Sequence, residues 1–148
     1  MTPAELEAYL RERIPLSRAL AVEVIEAGPG RVVVAAPLEP NVNHRETVFG
    51  GSAYAVAVLA AWSVVLLRLR ADGLEGRIVI RRGAMDYERP IAARFRAVAS
   101  APAAAEWRRL TAALARGRPA RVAVSATLEC AGTGAGRFDG EFVVLPPA

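Results

Sequence analysis

Residues 41–54, NVNHRETVFGGSAY, gather most of the side chains in this sequence that could do chemistry. The chain's only histidine, His44, follows Asn43, and Gly50-Gly51 opens a run without charge from Val48 to Leu67. If that run is a helix, the N–H groups of its first turn have no intrahelical acceptor and stand at the positive end of the helix dipole; glycines there let a ligand come close. Such donors can hold a carbonyl oxygen as it becomes an oxyanion, and the expected pair is Gly51 and Ser52. An imidazole suits general-base work near neutrality, so His44 is the candidate to activate water, with Asn43 orienting the water or the carbonyl. Thr47, Phe49, Gly50 and Tyr54 are expected to line the bound molecule. Plainer roles exist for each of these residues. His44 can bond a neighbouring carbonyl, Asn43 its own backbone in a turn, Ser52 can cap the helix, Tyr54 can pack, and the glycine pair can serve helix-to-sheet packing. Glu46 is a substitute base or an ordinary loop glutamate, and Asp86 faces inward or pairs with an arginine.

The elements that must position this stretch follow from the hydropathy pattern. In residues 3–14, Leu6, Tyr9, Leu10 and Ile14 share one helical face, and Pro15 ends the run. Residues 20–27 and 31–38 read as strands joined by Gly28-Pro29-Gly30, a hairpin signal. The long helix occupies about residues 50–71 and stops near Asp72-Gly73. Residues 77–89 and 92–100 read as strands on either side of Pro90, with Ile78 and Ile80 on one face. A second helix is expected to start at Pro102, bury Trp107, Leu110 and Leu114, and stop at Gly117. The closing strands are residues 120–130, with Val122, Val124, Ala126 and Leu128 alternating, and 138–145, joined by a flexible turn from Gly132 to Gly136. Short connections favour an antiparallel sheet. A helix apolar all round must be covered on nearly every side, and a curved six-stranded sheet wrapped around it does so with the fewest residues. The expectation is a single α+β domain over residues 1–148 with the hotdog architecture. One sheet leaves part of the helix uncovered, so a twofold homodimer is expected, with a dimer of dimers the next candidate.

The composition narrows the choice. With 148 residues, 53% of them hydrophobic, the chain suits one compact, well-packed domain. The net charge is +4 and all 19 basic residues are arginine. Guanidinium groups match phosphate oxygens, but these are scattered without aromatic interleaving, which argues against nucleic acid as partner. One histidine and one cysteine are too few for a four-ligand zinc site, so no metal is expected. Cys130 cannot form an intrachain disulfide and is expected as a buried thiol in a reducing compartment, the cytoplasm. The start, Thr2-Pro3-Ala4-Glu5, does not read as a secretory signal. The uncharged run is long enough to span a bilayer, but it opens on Phe49-Gly50-Gly51-Ser52 between strand-like flanks and reads as a buried helix, so no membrane is expected.

Several landmarks together resemble one family. They are Ile14-Pro15-Leu16-Ser17, Ala36-Pro37-Leu38, Asn43-His44 with Thr47, Phe49-Gly50-Gly51-Ser52, and Tyr54 followed by Ala57-Val58-Leu59-Ala60 and Trp62. Asp86-Tyr87 with Arg89-Pro90, the segment around Trp107 and the closing Phe138-Asp139-Gly140-Glu141-Phe142 continue the pattern along the chain. The pattern resembles the hotdog thioesterases, and among them the thioesterase domain at the C-terminal end of bacterial YiiD proteins. The resemblance implies hydrolysis of acyl thioesters of coenzyme A or acyl carrier protein at a site between subunits, with no cofactor beyond the CoA or phosphopantetheine of the substrate. Two departures stand out. Ala57 and Val58 fall where many hotdog thioesterases carry a helix carboxylate, and Phe49 and Glu46 replace an expected histidine and a small residue. Two alternatives follow: a non-catalytic acyl-thioester binding module, and a hotdog dehydratase or hydratase, against which the lack of an acid between Thr47 and Arg70 argues.

Overall fold

The computed structural model describes residues 1–148. Thr2 caps the first helix, α1 (Pro3–Arg13), reciprocally with Glu5: the Glu5 N–H donates to the Thr2 hydroxyl and the Thr2 N–H to the Glu5 carboxylate. Leu6 and Leu10 are its buried residues. A short helix, α2 (Leu16–Ala19), fills a stretch to which the sequence pattern assigns no element, and β1 (Glu23–Ala27) starts three residues later than expected. The hairpin to β2 (Arg31–Ala36) forms at the expected turn, with β2 ending two residues earlier than read. The central helix α3 (Gly50–Ala71) has the expected bounds. Then come β3 (Arg77–Tyr87), β4 (Phe95–Ser100), α4 (Ala104–Ala115), β5 (Ala120–Cys130) and β6 (Thr133–Leu145).

The six strands form one antiparallel sheet in the order β1-β2-β4-β5-β6-β3. It curves around α3 to give the hotdog arrangement anticipated above. Val122, Val124, Ala126 and Leu128 alternate inward along β5, and Phe138, Phe142 and Val144 do so along β6. They meet the buried residues of α3, among them Val56, Ala57, Ala60, Val64 and Leu69, in one continuous core. Most of α3 is thus inside the protein. Its length and apolarity would suffice for a bilayer, but 72% of its most apolar window is already buried against the rest of the chain.

Two local expectations change. Ala103 precedes α4 as its cap, so Pro102 lies before the helix rather than in its first turn. The glycine-rich run after Cys130 is mostly strand: β6 begins at Thr133, and the turn narrows to Ala131-Gly132, both at positive φ. Pairing with β3 and β5 through Gly134 and Gly136 overrides the run's weak strand propensity. Ile78 and Ile80 lie two residues apart in the regular part of the β3–β6 ladder, before the register shifts between Ile80 and Arg82, so they share a face as read, with Ile80 the more exposed.

Edge strand β3 and helix α3 run alongside each other and are tied at three points. The Trp62 indole N–H donates to the Ile78 carbonyl at 3.1 Å. The Tyr54 ring, set edge-on to Phe138 with centroids 5.4 Å apart, brings its hydroxyl over Gly83. The Tyr87 hydroxyl donates to the Gly50 carbonyl at 2.9 Å. Gly83 is required by the second tie, since a methyl group there would stand 2.0 Å from the Tyr54 hydroxyl oxygen. Gly83→Ala is therefore expected to displace Tyr54 and lower stability by about 1–3 kcal/mol, the usual cost of overpacking. Urea unfolding followed by circular dichroism measures it; an unchanged midpoint would show that the tyrosine is not confined.

Candidate active site

The loop leading into α3 is built around two asparagines. Asn41 is buried, and its side-chain amide N–H groups donate to the carbonyls of Leu20 and Pro37 while its main-chain carbonyl accepts the Phe49 N–H at 2.7 Å. Asn43 closes the loop on itself. Its side-chain oxygen accepts the N–H groups of Arg45 and Thr47, and its amide donates to the Thr47 hydroxyl and the Val48 carbonyl. The Asn43 amide group is thus fully engaged in the loop, the plainer of the two roles open to it. Glu46 occupies the left-handed region at φ 62°, a conformation that explains the expected small residue and costs a side chain about 1–2 kcal/mol.

At the helix start, Phe49 is the cap residue and provides no side-chain hydrogen bond. Its carbonyl accepts the N–H groups of both Ser52 (2.9 Å) and Ala53 (3.1 Å). The Ser52 N–H is therefore occupied, and Ser52 is a buried helix residue rather than the cap. The donors left without an acceptor are Gly50 and Gly51, so the pair expected from the sequence moves one residue toward the N-terminus. The exposed Phe49 ring folds over Gly51, where a Cβ would meet it at 2.4 Å.

Gly50 opens into a cleft of about 330 Å³ lined also by Thr47, Ala53, Tyr87, Glu88, Arg89 and Ile91. The connector after β3 is pinned there, because the N–H groups of Glu88 and Arg89 both donate to the Ala135 carbonyl (2.9 and 3.1 Å). Glu88, exposed and with no arginine paired to it, is one of the residues lining the cleft that Gly50 opens into at the start of the 22-residue helix. His44 stands exposed at the loop tip, makes no side-chain hydrogen bond within the chain and lines no part of this cleft. Asp86 is exposed and, contrary to expectation, neither faces inward nor pairs with an arginine. No three His, Cys, Asp or Glu side chains come together in a way that could hold a metal ion.

One helical turn beyond Gly50, Tyr54 enters a second, wholly apolar groove of about 330 Å³, with Val58 and Trp62 from α3, Leu16 and Leu20 from the N-terminal segment and Ile80 from β3. Val58 faces this groove and Ala57 the core, so α3 brings no carboxylate to either cavity. The structure thus brings Thr47 and Gly50 to one cleft, places Tyr54 in a separate groove one turn further along α3, and leaves His44 apart from both. Tyr87 and Glu88 were missed as site residues, since nothing in their local pattern shows that the edge strand ends at the mouth of α3.

The family model described as "Putative thioesterase (yiiD_Cterm)" matches residues 3–146. Among solved structures, a protein of unknown function from Chlorobaculum tepidum TLS superposes with a TM-score of 0.91 at 27% identity, covering 99% of this chain and 98% of that one. A protein from Shewanella oneidensis described as a putative thioesterase gives 0.87 at 28% identity, covering 97% of each chain. One from Pseudomonas aeruginosa described as a probable thioesterase shares the fold, with 0.80 at 21% identity over 97% and 95%.

The hydroxyl that bridges β3 and α3 gives the site a measurable pH response. Partial burial, and then the neighbouring Tyr54, raise the Tyr87 pKa above its ordinary 10.0. The fold favours the neutral phenol, so this contribution is complete below pH 10.0 and is lost as pH rises through the raised folded value. Tyr87→Phe is expected to remove that part of the alkaline loss of stability. Denaturation midpoints measured from neutrality into the alkaline range check it, and parallel curves for the two proteins would disprove the assignment.

Proposed function

This chain belongs to the YiiD C-terminal thioesterase family, and from that premise we propose that it hydrolyses acyl thioesters carried on coenzyme A or acyl carrier protein. The observation that supports the reading is the unpaired N–H of Gly50, with that of Gly51 next to it in the chain, beside a cleft that Gly50 and Glu88 both line. The two amides donate to the thioester carbonyl oxygen as it gains negative charge. Glu88 takes a proton from water, the hydroxide attacks the carbonyl carbon, the C–S bond breaks, and the proton returns to the departing sulfur. The products are a carboxylic acid and a thiol. A thiol with a pKa of about 8.5 leaves readily, so one base and two donors suffice without a helix carboxylate. The apolar groove past Tyr54 takes the acyl chain. Glu88 replaces His44 as base in this scheme, because it shares the cleft with the free amides. We place the protein in the cytoplasm, where Cys130 stays reduced.

The proposal includes a homodimer through β3. This strand is an edge of the sheet, eleven residues long, and it exposes Val79, Ile80 and Tyr87. A long, partly apolar edge is a template for a second copy, which would also cover the open side of α3.

Two experiments follow. Free-thiol release from acyl-CoA and acyl-carrier-protein thioesters of graded chain length should show saturable turnover that falls about a hundredfold or more in Glu88→Gln and changes less than about twofold in His44→Ala. The reverse ranking would return the base to His44, and no release from the folded protein would identify a binding module. Ile80→Lys, which puts a charge on the exposed edge, should shift sedimentation from dimer to monomer; a monomeric unaltered protein would reject the dimer.

A further inference from the structure

Trp62 bridges the two walls of the apolar groove beside α3. Gly50, Tyr54, Val58 and Trp62 recur every four residues and follow one ridge of the helix surface, with the free amides at its start. The groove has Leu16 and Leu20 of the N-terminal segment on one side and Ile80 of β3 on the other. At Trp62 one side chain touches the continuation of both. Its indole N–H donates to the Ile78 carbonyl of β3 at 3.1 Å, and its ring stacks on Tyr9 of α1, with centroids 6.3 Å apart and planes inclined by 19°. The half-buried indole is therefore held from two sides and stands across the space between them.

Past the indole the surroundings change character. The guanidinium groups of Arg13 and Arg70 lie 5.9 and 5.2 Å from the centre of the Tyr9 ring, so the ring on which Trp62 stacks is flanked by cations. An alkyl chain gains about fourfold in affinity for each methylene it buries, and the gain stops where apolar burial stops. From Gly50 to Trp62 the helix rises about 18 Å, and a helix side chain leans back toward the N-terminus by about one turn, which leaves about 13 Å. At about 1.3 Å per bond of an extended chain, that length takes about ten carbons.

We propose that Trp62 is the stop that sets acyl-chain length, and that this protein selects thioesters of short and medium chains, up to about ten carbons. The inference rests on the thioesterase reading for the identity of the ligand, but binding of the chain alone tests it.

The test is equilibrium binding, by calorimetry, of the acid products of the reaction, saturated fatty acids graded from butanoic to hexadecanoic acid. Two variants act in opposite directions. Val58→Phe places a ring one turn nearer the amides, and Trp62→Leu removes the indole while keeping an apolar helix former. In the unaltered protein affinity should rise about fourfold per methylene up to about ten carbons and then level off. Val58→Phe should bring that break forward to about six carbons, and Trp62→Leu should move it outward by about two to four. If Trp62→Leu does not fold, Val58→Phe carries the test alone. A rise that continues to hexadecanoic acid in the unaltered protein, or a break that neither variant moves, would overturn the proposal. No fatty-acid binding by the folded protein would overturn it too, and would give the groove to a second copy of the chain. Free-thiol release from the matching acyl-CoA series separates the two readings. A break that moves in binding without any release would sink the hydrolase reading alone, whereas release whose chain-length profile ignores both variants would sink this inference alone.

Discussion

Everything in this protein is arranged around the need to keep a 22-residue helix dry. With apolar side chains on every face, α3 gains most of its stability from burial, and each element supplies part of its cover. Strands β2, β4 and β5 lie across its inner side, and the N-terminal segment closes one flank with Leu6 and Leu10 of α1 and with Leu20 just after α2. The remaining flank is guarded by β3, whose attachments at Ile78, Gly83 and Tyr87 fix the helix along most of its length. The side left open is where a ligand or a second copy gains most by covering apolar surface.

The same constraint creates the candidate site. A helix buried along its length still has N–H groups at its start with nowhere to donate. Here the Phe49 carbonyl satisfies Ser52 and Ala53, and the polar loop bonds to itself, leaving Gly50 and Gly51 unpaired. Such an end is tolerable only if solvent or a ligand reaches it, and the cleft between the loop and the β3–β4 connector provides access. Glycine is required at the second of the two positions, where a side chain would displace Phe49, whereas a methyl group at Gly50 would only touch the Tyr87 ring.

Charge is distributed unevenly between structural and free groups. Most carboxylates near the sheet are matched with arginines across strands, as in Arg81–Glu141 and Arg96–Glu129, where exposed pairs contribute little to stability but absorb charge. The Ser125, Arg137 and Asp139 cluster on the outer sheet face is satisfied within itself, and its hydrogen bonds to Arg137 and Ser125 hold the Asp139 pKa down. Glu88 and Arg89 stand outside this scheme. They are consecutive unpaired charges in one cleft, on a connector whose amides are already bonded.

The sequence by itself determined the architecture, because the architecture follows from periodicity. One uncharged run bounded by Gly50 and Asp72 defines α3, alternation in β5 defines its inner face, and a helix apolar all round calls for a wrapped sheet. The family pattern was legible for the same reason, being carried by short contiguous motifs. Tertiary structure alone decided which groups meet. Glu88 comes to line the cleft at Gly50 because β3 returns along α3 and its last residue, Tyr87, bonds to the Gly50 carbonyl, a juxtaposition across more than thirty residues that no local spacing encodes. The choice between Gly50 and Ser52 as free donors turned on one carbonyl, that of Phe49, bending toward the first turn. The isolation of His44 was equally invisible, since a loop's composition announces its polarity but not the direction in which its tip points.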